Sequence, residues 1–88
     1  MAERMTVKRA GVTALAEIAD LVGLPAESVT GVRKDDDQWV VTVEVLEVSR
    51  VPETTDVMAT YEVRIDPDGD VVAYRRVRRY VRADVEGS

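Results

Sequence analysis

Charged side chains supply the only candidates for chemistry in this chain, and each cluster suggests a different kind. Asp35-Asp36-Asp37 and the alternating Asp66, Asp68 and Asp70 are of the type that binds hard cations. Glu44 and Glu62 are the minimal pair of carboxylates for acid and base work. The run Tyr74-Arg75-Arg76-Val77-Arg78-Arg79-Tyr80-Val81-Arg82 holds five of the twelve basic residues and no acid. It could grip a protein, a nucleic acid or the chain's own carboxylates.

Spacing removes the cation readings. Consecutive aspartates point in different directions, and Asp66-Pro67-Asp68-Gly69-Asp70 has a proline inside and no distal glutamate, so both read as solvated turns. The chain has no Cys and no His, which excludes disulfides, thiolate chemistry and the commonest general base and transition-metal ligand. With no Gly-rich phosphate loop, no cofactor, metal or catalytic residue is expected, and the chain is read as a non-enzyme. Arg76 and Arg64 are the expected partners of Glu44 and Glu62 across the strands.

The Arg-rich run follows a segment, Asp35 to Asp70, with eleven acidic residues against Arg50 and Arg64. Three uses compete for it: a docking surface, where Arg and Tyr are enriched; pairing with those acids inside the fold; and single-stranded nucleic acid, which uses charge with stacking aromatics. The overall charge of −5 weighs against the last.

The elements that position these residues follow from hydrophobic periodicity. Val7, Ala10, Ala14, Leu15, Ile18, Leu21 and Val22 recur at helical spacing, with Thr6 as the N-cap and Gly23 followed by Pro25 as the stop. Gly11 and Ala14 thin the packed face. Leu24 to Ser28 reads as a linker or single helical turn, and Val29 to Lys34 as a short strand. Trp39 to Val48 reads as a long strand with Trp39, Val41, Val43 and Val45 on the drier face. Arg50 to Asp56 is a loop. Val57 to Ile65 alternates cleanly, and Asp66 to Asp70 fits a three-residue hairpin loop with Gly69 left-handed.

Counting back from that loop pairs Ile65 with Val71, Val63 with Ala73, Tyr61 with Arg75 and Ala59 with Val77. It also sets Glu62 beside Tyr74 and Thr60 beside Arg76. The last strand then shows Val72, Tyr74, Arg76, Arg78 and Tyr80 outward, while Arg75 and Arg79 lie on the core side. A helix from Tyr74 is the competing assignment, since Tyr74, Val77 and Val81 also fit helical spacing. The expected architecture is α+β: an N-terminal helix packed on a four-stranded antiparallel sheet. Its core comprises Leu15, Ile18, Val22, Trp39, Val41, Val43, Tyr61, Val63 and Ile65. Residues 6–82 form one domain, with a frayed start over 1–5 and a frayed acidic tail over 83–88. The chain has neither a signal-peptide pattern nor an apolar run of membrane-spanning length, so a cytoplasmic location is expected and a membrane partner is not.

The Trp39 to Glu47 strand, the Arg50-Val51-Pro52 loop, Tyr61-Glu62-Val63, Asp66-Pro67-Asp68-Gly69 and the Arg78-Arg79-Tyr80 ending together resemble the gas vesicle protein O (GvpO) family over roughly Val12 to Arg82. Many members carry a long, charged, disordered N-terminal extension that these 88 residues do not include, so its role is not expected of them. The resemblance implies a cytoplasmic, non-enzymatic accessory protein. Such a protein acts by contacts with other gas vesicle proteins during nucleation and assembly of the shell, with association with the vesicle left open, and is not the shell subunit. The helix followed by an antiparallel meander is also similar to PepSY-type domains in topology. On this reading Tyr74, Arg76, Arg78, Tyr80, Arg82, Glu44 and Glu62 are the candidate partner-binding residues. The alternative is a regulator that touches nucleic acid through the Arg-rich strand.

Overall fold

A computed structural model describes residues 5–83. The expected fraying of residues 1–5 and 83–88 falls, Met5 and Ala83 apart, outside the described residues. Helix α1 (Val7–Val22) is followed by strands β1 (Ala26–Asp35), β2 (Gln38–Val48), β3 (Val57–Ile65) and β4 (Val71–Val81). The strands form one antiparallel sheet in the order β1-β2-β3-β4. Residues Tyr74 to Val81 are therefore strand and not helix.

Helix α1 starts and stops on the residues its sequence singles out. Thr6 accepts a bond from the Arg9 amide at 3.2 Å, and Gly23 ends the helix in the left-handed region at φ 69° with its amide bonded to the Ala19 carbonyl. A β-carbon on Gly23 would meet nothing within 4 Å. Gly23→Ala therefore carries only the conformational cost of a side chain at positive φ, about 1 kcal/mol, and a urea titration should show the midpoint falling accordingly.

The helix lies over one face of the sheet. Ala10, Ala14 and Ile18 are fully buried there against Val41, Val43, Val45, Val63 and Ile65. Leu15, Val22, Trp39 and Tyr61 pack around this core but keep some exposure. Gly11 faces Val29 of β1, and the approach does not require a glycine: a β-carbon there would sit 3.8 Å from the Val29 methyls, ordinary contact distance.

Strand β1 begins three residues earlier than its hydrophobic pattern suggests. Ala26 pairs with Val45, and the Pro25 carbonyl accepts from the Leu46 amide at 2.9 Å, so Ala26 to Ser28 are strand in place of a linker or helical turn. The hairpin loop after β3 is as its residues demand. Asp66 accepts the Asp68 and Asp70 amides on one side-chain oxygen at 3.0 and 2.9 Å, and Gly69 takes φ 94°.

The pairing of β4 departs from a simple count from that loop. Ile65 does face Val71, but Val72 is an extra residue, and thereafter Arg64 faces Ala73, Val63 faces Tyr74, Glu62 faces Arg75 and Tyr61 faces Arg76. Val77 is a second extra residue, after which Thr60 faces Arg78, Ala59 faces Arg79, Met58 faces Tyr80 and Val57 faces Val81. Because strand side chains alternate, one inserted residue exchanges the two faces and a second restores them. Tyr74 and Arg76 therefore lie on the helix side, and Arg75 on the open face. Arg78 and Tyr80 keep the open face and Arg79 the helix side. The first bulge carries the Arg75 guanidinium away from Tyr61 and brings it to a carboxylate.

Candidate functional site: strand β4 and its charge partners

On the helix side, a β-bulge in β2 sets Glu47 between Leu46 and Val48, outside the regular ladder. Its carboxylate, with only 11% of the side chain exposed, receives Arg76 at 3.0 Å and Arg79 at 2.8 Å. The two arginines stay half in solvent. Alternation along the strand gives no sign of this bulge, so the sequence does not single out Glu47 as a site residue.

On the open face, Glu62 is bridged by Arg75 at 3.4 Å and Arg33 at 3.7 Å. Arg64, which the sequence suggested as a partner for this face's glutamates, bonds instead to Asp35 at 3.0 Å and to Gln38. Arg76, the other suggested partner, is on the opposite face with Glu47. Among the described residues Glu44 has no arginine partner; three hydroxyls donate to it. Thr30 reaches Oε2 at 3.0 Å, while Thr60 at 2.8 Å and Tyr80 at 2.5 Å share Oε1. Tyr80 is on β4 and Glu44 on β2, so the open face is concave enough for a side chain to reach across β3. Thr30, Thr42, Glu44, Thr60, Arg78 and Tyr80 line a depression there of about 480 Å³.

This is poor equipment for acid and base catalysis. The Glu44 oxygens are already engaged by hydroxyl donors. Tyr80 holds its proton up to about pH 12, through partial burial first and then through the bond to Glu44 and the nearby negative charge. The unfolded chain loses that proton near pH 10. Between those values the folded state binds more protons than the unfolded, so the contribution is complete below about pH 10 and is lost as pH rises towards 12. Between pH 9 and pH 11 the urea midpoint should fall further for the wild type than for Tyr80→Phe; equal falls would contradict the raised titration of Tyr80.

Arg82 closes the end of β4. Its guanidinium forks onto Glu27 at 3.1 and 2.8 Å and also bonds to Asp56 at 3.3 and 3.1 Å. Both carboxylates hold it firmly in the charged form. A bulge at Glu27 in β1 frees that side chain to take part. Asp56, only 4% exposed, also accepts the Arg50 amide at 2.8 Å, and its carbonyl accepts the Arg82 amide. Arg82 thus ties together both edge strands and the loop, which is a structural use of a residue suggested for partner binding.

What remains accessible is the middle of β4. Val72, Tyr74 and Val77 are 50%, 43% and 42% exposed, with Arg75 and Arg78 between and beside them. Arg78 stacks over the Tyr80 ring at 4.5 Å and makes no ion pair among the described residues. Tyr74 lies on the other face, 6.3 Å from the Tyr61 ring. Among the described residues there is no group of three or more Asp or Glu placed to hold a metal ion, and no helix long and apolar enough to cross a membrane.

With this geometry in place, comparison with known proteins decides the family. The profile of the family described as "Gas vesicle synthesis protein GvpO" matches residues 1–86. The chain belongs to the GvpO family. Gas vesicle protein O of Streptomyces sp. (strain CB03234) is 49% identical over 69 residues, covering 78% of this chain and 54% of that protein. Gas vesicle protein O1 of Halobacterium salinarum is 33% identical over 85 residues, covering 97% of this chain and 71% of that protein. The chain spans about half the length of the Streptomyces GvpO relative. No solved structure matches it.

Proposed function

We propose that the chain acts in the cytoplasm as a non-enzymatic accessory factor in gas vesicle formation, working through contacts with other gas vesicle proteins. Membership of the GvpO family is the observation that carries this reading. The exposed middle of β4 supports a contact role, because it offers valine, tyrosine and arginine on a rigid element instead of a cleft with free acid and base groups. Of the candidate binding residues, Tyr74 and Arg76 would present one face of β4, and Arg78 and Tyr80 the other. Glu44, Glu62 and Arg82 would serve by holding the strand in place.

The opposite faces of Tyr74 and Tyr80 weigh against nucleic acid, since single-strand binders stack successive bases on one platform. Complementation tests the reading. In a gas-vesicle-forming host lacking its own family member, expression of this chain should restore vesicles, scored by buoyancy and electron microscopy. Expression of folded chain with no vesicles restored would count against it.

A further inference from the structure

We infer that β4 receives a fifth strand: an extended, acidic segment of a partner protein, anchored at one end by an apolar side chain. For its biological meaning this rests on the docking role just proposed; the interaction itself is argued from the edge of the sheet. Strand β4 is last in the sheet order, so one side of its backbone has no neighbouring strand among the described residues. It is eleven residues long, and every residue from Val72 to Arg79 is exposed. Unpaired backbone donors and acceptors along such an edge take water or another strand.

Charge selects the kind of strand. Arg75, Arg76, Arg78 and Arg79 stand within five positions, with no acid in β4 itself. Glu47 and Glu62 answer three of them, while among the described residues Arg78 has only the Tyr80 ring. A second copy of β4 laid alongside would bring arginine against arginine, and like charges directly opposite are destabilising. A strand carrying carboxylates meets the complementary arrangement. The other edge, β1, mixes Glu27, Arg33, Lys34 and Asp35 and offers no such bias.

An anchor position lies at the loop end of β4. Leu21, Val71, Val72, Ala73 and Tyr74 line a hollow of about 360 Å³ beside the open edge, with Leu21 about half exposed. At about 3.3 Å per residue, Arg75 to Arg79 lie roughly 10 to 23 Å beyond Val72. A segment with one large apolar residue and carboxylates three to seven positions away fits both features together.

Fluorescence polarisation with synthetic ten-residue peptides tests this. The probe has a leucine followed by alternating valine and glutamate; controls replace glutamate by lysine, leucine by serine, or interrupt the same charges with prolines. The glutamate peptide should bind at least ten-fold more tightly than the lysine and proline peptides and slow amide exchange along β4. Its affinity should fall about ten-fold with Arg75→Gln/Arg78→Gln, and should survive Arg75→Lys/Arg78→Lys, with circular dichroism confirming folded variants. No binding of the glutamate peptide would overturn the proposal, as would equal binding of the proline peptide, which would leave charge alone. Tighter binding of a single-stranded oligonucleotide to β4 would also overturn it. Peptide binding without vesicle complementation would keep the open strand and remove the gas vesicle role; complementation without peptide binding would do the reverse.

Discussion

Ile18→Ala should destabilise the domain by about 3 kcal/mol, within the range for deleting a fully buried aliphatic side chain. Ile18 sits at no measurable exposure on the helix face that meets Val41, Val43 and Val63, and among the described residues α1 is the element that covers that face. A sheet cannot close over the lost volume from one side, so the cavity should persist. A domain of this size is stable by roughly 5 to 10 kcal/mol. The melting temperature should therefore fall by about 12 to 24 °C. Scanning calorimetry on the variant reads this directly; a fall of only a few degrees would mean that α1 is not seated as described.

Asp56→Ala should cost about 2 to 3 kcal/mol, the scale of charge-assisted hydrogen bonds lost from a buried acceptor. One carboxylate receives the Arg50 amide and the Arg82 guanidinium, and so joins the β2–β3 connection to the end of β4. Asp56→Asn separates the contributions. The amide keeps an oxygen for the Arg50 amide but loses the charge that draws in Arg82, so it should recover part of the stability. Amide exchange at Arg82, whose backbone bonds to the Asp56 carbonyl, should quicken in both variants. Full wild-type stability in Asp56→Ala would show that Glu27 alone holds the Arg82 end of the sheet.

The elements themselves were legible because they depend on short-range patterns. The Val7 to Val22 spacing, Thr6, Gly23 and the Asp66 to Asp70 loop each specify local backbone through side-chain size or a nearby hydrogen bond. Residues displaced from the ladder were not legible. Glu27, Glu47, Val72 and Val77 each stand as one extra residue opposite a partner strand, and nothing local distinguishes Val72 or Val77 from other valines in strands. Each such residue exchanges the faces of those beyond it, which strict alternation does not anticipate. That is why Arg78, Arg79 and Tyr80 lie on the faces that alternation assigns, whereas Tyr74, Arg75 and Arg76 lie on the reverse.

The same displacement changes how the strand must be probed. Reversing the charge of Arg76 and Arg79 would place carboxylates against Glu47, which is largely buried, and would disturb the fold together with any surface. Arg75 and Arg78 are the sounder positions, since Arg78 has no carboxylate partner among the described residues and Glu62 retains Arg33 when Arg75 is neutralised. Their neutralisation separates docking from stability.

Capture of purified gas vesicle proteins, by the wild type and by Arg75→Gln/Arg78→Gln, tests the central claim most directly. The account predicts that at least one binds the wild type and that the variant, folded by circular dichroism, binds it at least ten-fold more weakly. Wild-type binding that the variant retains in full would contradict a docking role for β4, and absence of binding to every one of them would contradict the contact role as a whole.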